Sequence, residues 1–420
     1  MRPIPEAWPI PRREFLAAGV ALAAGTGLAP PARPRVAGLA TVYSHNSHAD
    51  MFLSRLLEGY TLDGRGEFPA IDLASLYIDQ RPENDKGVRL AREHGVPRYE
   101  SVAEALTLRT GKLAVDGVLL IAEHGDYPHS PIGSVMYPKR RFFAEVAEVF
   151  RTSDRAVPVF IDKHLSDNWE DIDWIVRKAR ELKVPLMAGS SLPVARREPP
   201  RDVEAGEPLE GILALSFHTL DAYGFHALEL MQGLAERRRG GETGVRSVQS
   251  TSGREVWKAL AAAEIDRDLL AEALARLPGP RVTIDELPGK VPEPILWRID
   301  YADGLRGTVL TLNGVVGAWS AAWRTAGGKV RAVGCDTREQ RPLMHFTYQL
   351  KGVESMIQSG RPAWPVERTT LTSGLLESLL TSGSQGDRRL DTPHLANAYR
   401  TDWTWNQPPP PPPGRPLNAQ

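Results

Sequence analysis

The sequence predicts an α/β protein in which a doubly wound parallel sheet is followed by an α+β part with a large antiparallel sheet. Three observations predict it. Short β-branched apolar runs, Ile71 to Ile78, Asp116-Gly117-Val118-Leu119-Leu120-Ile121-Ala122 and Val157 to Ile161, alternate with stretches of helical period, the rhythm of β-α-β units. Residues 281 to 325 change to alternating apolar and β-branched positions broken by Gly/Asp turns, as antiparallel strands do, notably Ile295 to Ala302, Leu305 to Leu312 and Val316 to Trp323. The length, 420 residues with 42% hydrophobic content, suffices for two cores.

The chain divides into four stretches. Residues 1–33 carry Pro11-Arg12-Arg13-Glu14-Phe15-Leu16, a twin-arginine pattern, then the small-residue apolar run Ala17 to Ala29 and a Pro/Ala spacer. This predicts export by the twin-arginine route to the periplasm or the extracellular space. No later stretch reaches the roughly 18 uninterrupted apolar residues of a membrane span. Residues 34–190 hold the parallel sheet, and 191–400 the α+β part, entered through the charged, proline-rich crossover Pro193 to Pro208. Residues 401–420 are a proline-rich tail whose Pro408 to Pro413 run predicts polyproline II outside either core.

A formal net charge of -1 argues against nucleic acid or an anionic membrane as a partner recruited by bulk charge. The single Cys335 excludes an internal disulfide framework and a four-cysteine zinc site. Homo-oligomerisation is left open.

Taken in order, Val36 to Tyr43 predicts the first strand and Met51, Leu53, Leu56 and Leu57 the first helix, joined by Ser44-His45-Asn46-Ser47-His48-Ala49-Asp50. That turn has none of the glycines that let a backbone approach a pyrophosphate. Ser44, Asn46, Ser47 and His48 offer polar groups at a helix N-terminus, either as an anion site or as ordinary caps. The second strand ends in Asp79-Gln80-Arg81, where an acid suits a ribose hydroxyl and an arginine a 2′-phosphate. Asp85 to Gly95 predicts the next helix, Val96 to Tyr99 a short strand, and Ser101 to Leu106 a capped helix. The strand through Leu119 opens into Glu123-His124-Gly125-Asp126-Tyr127-Pro128-His129. His124, Asp126 and His129 lack a zinc-type companion, so no metal is assigned and the loop is expected to face substrate or cofactor.

The run Val157, Val159, Phe160 and Ile161 breaks off at Asp162-Lys163-His164, and Ser166 or Asp167 can cap the helix carried by Trp169, Ile172, Ile175, Val176 and Ala179 before a strand near Val184. Ligands of open parallel sheets bind at strand carboxyl ends, so Lys163 is expected at a crevice. Further on, Gly211 to Phe217 predicts a strand, and His218-Thr219-Leu220-Asp221-Ala222-Tyr223-Gly224-Phe225-His226-Ala227-Leu228-Glu229 opens a helix. Trp297, Trp319 and Trp323 are expected to pack across the antiparallel sheet, and Thr369 to Ser382 to form a late helix.

The order strand, acid-Lys-x, helix, strand resembles the glucose-fructose oxidoreductase and inositol dehydrogenase (Gfo/Idh/MocA) family, in which a strand ending Glu-Lys-Pro delivers a lysine to nicotinamide and substrate. Here the triplet is Asp162-Lys163-His164, with the acid shortened and the proline replaced. The resemblance covers most of residues 35 to 400 and implies a Rossmann-like first domain, NAD or NADP as cofactor, and a sugar or polyol substrate. Ser44, Asn46, Ser47, His48, Asp79, Arg81, Glu123 and His124 are then the cofactor-binding candidates. The family completes its site within D-x-G-x-H-x-x-D, on whose last three positions Gly224, His226 and Glu229 fall. Ala222 stands where the aspartate belongs, and Asp221 is one place early. On a regular helix, residues five apart diverge by about 140°, so Asp221 is expected to join His226 only from a cap position.

Lys163, His226 and Asp221 are therefore the catalytic candidates: the lysine steadies the substrate oxygen and the histidine takes its proton. The expected function is exported NAD(P)-dependent oxidation of a sugar or polyol hydroxyl. The missing glycines and Ala222 leave two alternatives open, a redox-inactive carbohydrate- or partner-binding descendant and a non-redox lyase or isomerase.

Overall fold

Runs with no polar face become the centre of a parallel sheet, because helices cover both sides of it. A computed structural model of the protein describes residues 32–337 and 341–412; the expected signal segment, residues 1–33, lies outside them except for its last two residues. The first sheet takes β1 (Arg35–Ala40), β2 (Asp72–Ile78), β3 (Arg98–Tyr99), β4 (Gly117–Ile121), β5 (Val159–Asp162) and β6 (Leu186–Gly189) in the order β3-β2-β1-β4-β5-β6, all parallel. Its helices are α1 (His48–Glu58), α2 (Gly87–Glu93), α3 (Val102–Thr107), α4 (Lys139–Ser153) and α5 (Trp169–Glu181). This is the doubly wound, Rossmann-like order, with its switch point between β1 and β4.

Local chemistry fixes the helix ends. Ser47 caps α1 by accepting from the Asp50 amide, and Ser101 caps α3. The cap of α5 is Asn168, not the expected Ser166 or Asp167; its side chain accepts from the Asp171 amide, and Glu170 and Asp171 complement the positive end of the helix dipole. Ile172, Ile175, Val176 and Ala179 form its buried stripe. Each of the larger ones contributes about 1.5–3 kcal/mol by leaving water. Several bounds move: β1 ends at Ala40, so Thr41 to Tyr43 belong to the turn, and α4 has no counterpart in the sequence expectation.

The second sheet is built from β7 (Arg197–Glu198), β8 (Leu209–Ser216), β10 (Val245–Ser252), β11 (Ile295–Tyr301), β12 (Arg306–Thr311), β13 (Ser320–Thr325), β14 (Val330–Cys335) and β15 (Leu390–Asp391). Its order is β15-β10-β11-β12-β8-β13-β14-β7; β9 (Glu242–Thr243) pairs separately with β16 (Ala398–Tyr399). The sheet is mixed rather than wholly antiparallel, since β12 runs parallel to β8. Alternation along β8 sets its two faces. Ile212 and Ala214 face α6 (Phe225–Ala235) and α11 (Val366–Ser384), while Leu213 and Leu215 face α7 (Arg254–Ala261) and α8 (Arg267–Leu274), with Leu287 of α9 (Leu287–Lys290) completing that layer. Helix α11 extends the expected late helix at both ends, and α10 (Met344–Ser359) packs on α1.

Trp297 and Trp323 are buried in the core between sheet and helices, and their indole nitrogens make no hydrogen bond among the described residues, as packing side chains would. Trp319 differs: it stacks on Tyr223 and meets the His226 ring edge-on. The tail folds back onto the body, where the Trp405 indole donates to the Ala195 carbonyl and the Tyr348 hydroxyl to that of Pro409.

Candidate active site

The neighbouring strands β4, β5 and β6 of the parallel sheet each lead into a polar residue at their carboxyl ends. Beyond β4 stands Glu123, beyond β5 Lys163, and beyond β6 Ser190; α1 contributes His48 and α6 contributes His226. Glu123 Oε2 lies 2.8 Å from Lys163 Nζ and Oε1 2.7 Å from Lys139 Nζ, with all three side chains almost wholly buried. Lys139 also donates to the His164 carbonyl at 2.6 Å. Two ammonium groups therefore share one carboxylate. They hold Glu123 well below the usual carboxylate range against the opposing effect of burial, and Glu123 in turn holds the Lys163 nitrogen above its ordinary value. Lys163 adopts a left-handed backbone, φ 55°, at the break of its strand. That costs a non-glycine residue roughly 1–3 kcal/mol, and such strain collects where a side chain must be aimed.

Four histidines around this pair are neutral. Burial, the largest cause in each case, pushes His226 and His164 well below the ordinary imidazole value and His124 and His345 down to about 3. Lys163 is the strongest charge acting on His226, which ties the two predicted residues electrostatically. His226 Nδ1 is 2.6 Å from Ser190 Oγ. Glu229 is fully buried; it accepts from the Ser190 amide at 3.1 Å and from Thr372 Oγ1 at 2.6 Å, so it orders the Ser190 turn rather than bonding the imidazole.

Asp221 lies neither on a regular helix nor at a cap. Leu220–Gly224 is a π-turn capped by Thr219, in which the Gly224 amide reaches back five residues to the Thr219 carbonyl. The turn absorbs the extra residue that separates Asp221 from the expected spacing, and such turns recur at functional sites. Its carboxylate accepts from the Val135 amide at 3.1 Å and stands 4.0 Å from His164 Nε2, so its partner is His164 and not His226. Burial raises its pKa.

The cofactor candidates divide. Ser47 is a helix cap, and Ser44 forms a bridge with Asp85. His48 Nδ1 lies 2.5 Å from Asp162 Oδ2, and its ring packs against His124 and Phe346. Asp79 accepts from Tyr77 at 2.6 Å, Tyr127 at 2.7 Å and Arg141 at 2.6 Å. Arg81 is half exposed and faces Glu100 at 3.6 Å. Asn46 donates its amide to Asp50 Oδ2 at 2.9 Å. Sequence reasoning missed Lys139, Ser190 and the pairing of His48 with Asp162. Only Ser190-Ser191 left a signal, as a polar pair directly beyond the β6 run.

No family model matches the chain, and no curated protein matches it by sequence. Its structure is similar to that of GenD2 from gentamicin A biosynthesis in complex with NAD, at 15% identity and a TM-score of 0.55, over 87% of this chain and 99% of that one. Similar too are myo-inositol 2-dehydrogenase from Lactobacillus plantarum (9% identity, TM-score 0.53, 85% and 99% covered) and scyllo-inositol dehydrogenase from Lactobacillus casei (8%, 0.53, 85% and 98%). The class these likenesses define is one of fold: the two-part architecture of the Gfo/Idh/MocA oxidoreductases.

GenD2, which shares that fold, is in complex with NAD; in this chain the α1 N-terminus gathers cationic and amide donors around an anion. The Asp50 carboxylate there is a stand-in anion, fully out of water. It accepts from Lys86 Nζ at 2.7 Å and Arg341 Nη1 at 2.6 Å as well as from the Asn46 amide at 2.9 Å. These donors are of the kind that holds a diphosphate, and in this structure Asp50 engages them. Asp79 uses three of about four acceptor positions, which leaves one for a ribose hydroxyl.

Proposed function

We propose that the protein is an NAD(P)-dependent oxidoreductase acting on the hydroxyl of a sugar or polyol. The observation that carries this reading is the buried Lys163 ammonium, fixed by Glu123 among neutral histidines at the carboxyl ends of parallel strands. A charge held in a dry site stabilises an oxygen that becomes negative as its proton leaves, and does so without reorganising at that moment. Lys163 and His226 address that oxygen together. Tyr223 and Trp319, stacked with their ring centroids 5.2 Å apart, form an aromatic wall beside His226 suited to the apolar face of a sugar ring. A nicotinamide nucleotide, held by Asn46, Lys86 and Arg341, would supply the hydride acceptor.

One observation favours a second reading, a carbohydrate-binding descendant without redox activity: the Asp50 carboxylate already satisfies the donors that a diphosphate would use. Calorimetric titration with NAD and NADP, together with mass analysis of nucleotide released on denaturing natively purified protein, separates the two. Binding or release supports the oxidoreductase; neither, in protein that still binds polyol, supports the second reading. We also propose, from Arg12-Arg13 and the apolar run behind them, that the protein is exported.

A further inference from the structure

The reaction proposed above needs a group to take the hydroxyl proton, and the hydrogen bonds around two histidines decide which one it is. Among the described residues Ser190 Oγ accepts from the Leu192 amide at 3.1 Å, and its one further partner is His226 Nδ1 at 2.6 Å. The hydroxyl is fully used when Oγ–H donates and Nδ1 accepts. A neutral His226 therefore carries its proton on Nε2, and that nitrogen meets a substrate as a hydrogen-bond donor.

His48 is set the opposite way. Asp162, 1% exposed, accepts from His48 Nδ1 at 2.5 Å, which places the ring proton on Nδ1 and leaves Nε2 with its lone pair. His48 Nε2 makes no hydrogen bond among the described residues, and Asp162 Oδ1 is buried without a partner. The carboxylate orients the ring and stabilises the imidazolium that forms when Nε2 takes a proton, as the carboxylate of an acid-histidine pair does in hydrolytic triads.

The pair belongs to the same cluster as the lysine. Asp162 directly precedes Lys163 in the chain, and the His48 ring lies 5.2 Å from that of His124, the residue after Glu123. Besides Asp162, the titratable groups around it are Glu123 and His124 beyond β4, Lys163 beyond β5, His226 on α6 and His345 on α10. Of them only Glu123 is a carboxylate, and its two oxygens are already taken by lysines.

We propose that His48, oriented by Asp162, is the general base of the site, and that His226 is a hydrogen-bond donor to the substrate oxygen. This rests on the oxidoreductase reading. In the step assigned to it, the substrate O–H bond breaks, its electron pair stays on oxygen between Lys163 and His226, and an N–H bond forms at His48 Nε2. The hydride lost from the carbinol carbon goes to the nicotinamide nucleotide of that reading, and a carbonyl compound results.

The test begins with the full-length protein and needs no substrate. Nitrogen-15 correlation spectra of the imidazole rings near neutral pH distinguish the two tautomers. The expected result is an Nδ1–H tautomer for His48 that is lost in Asp162→Asn, and an Nε2–H tautomer for His226 that is lost in Ser190→Ala. An Nε2–H His48 or an Nδ1–H His226 in the unmutated protein overturns the assignment, whether or not the protein turns over any polyol. With an active polyol in hand, His48→Gln should lower kcat by about 10²–10⁴-fold with KM little changed, and remove the acid limb of the kcat/KM profile. Retention of that limb in His48→Gln, with its loss in His226→Gln, would return the base to His226.

Discussion

Lys163 Nζ and Glu123 Oε2 stand 2.8 Å apart at the carboxyl ends of neighbouring parallel strands, and Lys139 closes on the other oxygen of the same carboxylate at 2.7 Å. The trio carries one net positive charge where water does not reach. A buried pair of this kind is weak evidence of stability, because desolvation of the ions offsets most of their attraction. Its value is positional: it holds an ammonium at a strand end that ligands of such sheets approach.

Removing the shared carboxylate should therefore be costly. Glu123→Gln leaves two buried ammonium groups without a counter-ion, and about 3–5 kcal/mol of stability should disappear. Urea unfolding of the two proteins checks this; a loss under about 1 kcal/mol, the range of exposed pairs, would show that the lysines find other partners.

Acid should unfold the protein partly through the same group. The Glu123 pKa is depressed in the folded chain, so between that value and the ordinary one of about 4.3 the unfolded state binds more protons. Its contribution is full above the unfolded value and is lost as pH falls through the folded one. Asp50, lowered to about 2 by Arg341 and Lys86, loses its contribution between about pH 4 and 2 in the same sense. Glu229, raised by burial, works in the opposite direction and gains when protonated. Melting temperature followed from neutral pH downward should fall below about pH 4, and less steeply in Glu123→Gln; identical slopes would contradict the assignment.

Gly189 is a backbone lock on the same site. Its φ is +121°, and a Cβ there would stand 2.5 Å from Glu229 Oε2 and 2.7 Å from Thr369 Oγ1. Gly189→Ala should displace Glu229 from the Ser190 turn, cost roughly 1–3 kcal/mol in backbone strain alone, and disturb the His226 ring signals. Unchanged stability and an unchanged His226 environment would remove Glu229 from its ordering role.

Much of this arrangement was legible in the residues. Lys163 falls at a strand end because its β-branched run breaks there, and the parallel rhythm of residues 34–190 follows from apolar runs alternating with helical period. Contacts across the fold were not legible. His48 and Asp162 are 114 positions apart, and nothing local to either announces a partner. Asp221, expected to reach His226 only from a cap position, lies inside a π-turn, and spacing along the sequence does not announce such a turn. The parallel pairing of β12 with β8 escaped because alternation along a strand fixes its faces but not its direction.

The export we propose is a separate matter and rests on Arg12 and Arg13 ahead of Phe15 and Leu16. Replacing both arginines by lysine should retain the protein in the cytoplasm of its own host. Fractionation that does not change would withdraw the proposal.

We expect Lys163 and His226 to act as one unit on a substrate oxygen. Turnover of a polyol panel with NAD and NADP by Lys163→Ala, His226→Ala and the double variant, with nucleotide binding measured beside it, tests this. Residues that work together are strongly non-additive, so each single variant should lose nearly all turnover while keeping nucleotide, and the double variant should lose little more. Losses that multiply, or turnover that survives either single change, would contradict it.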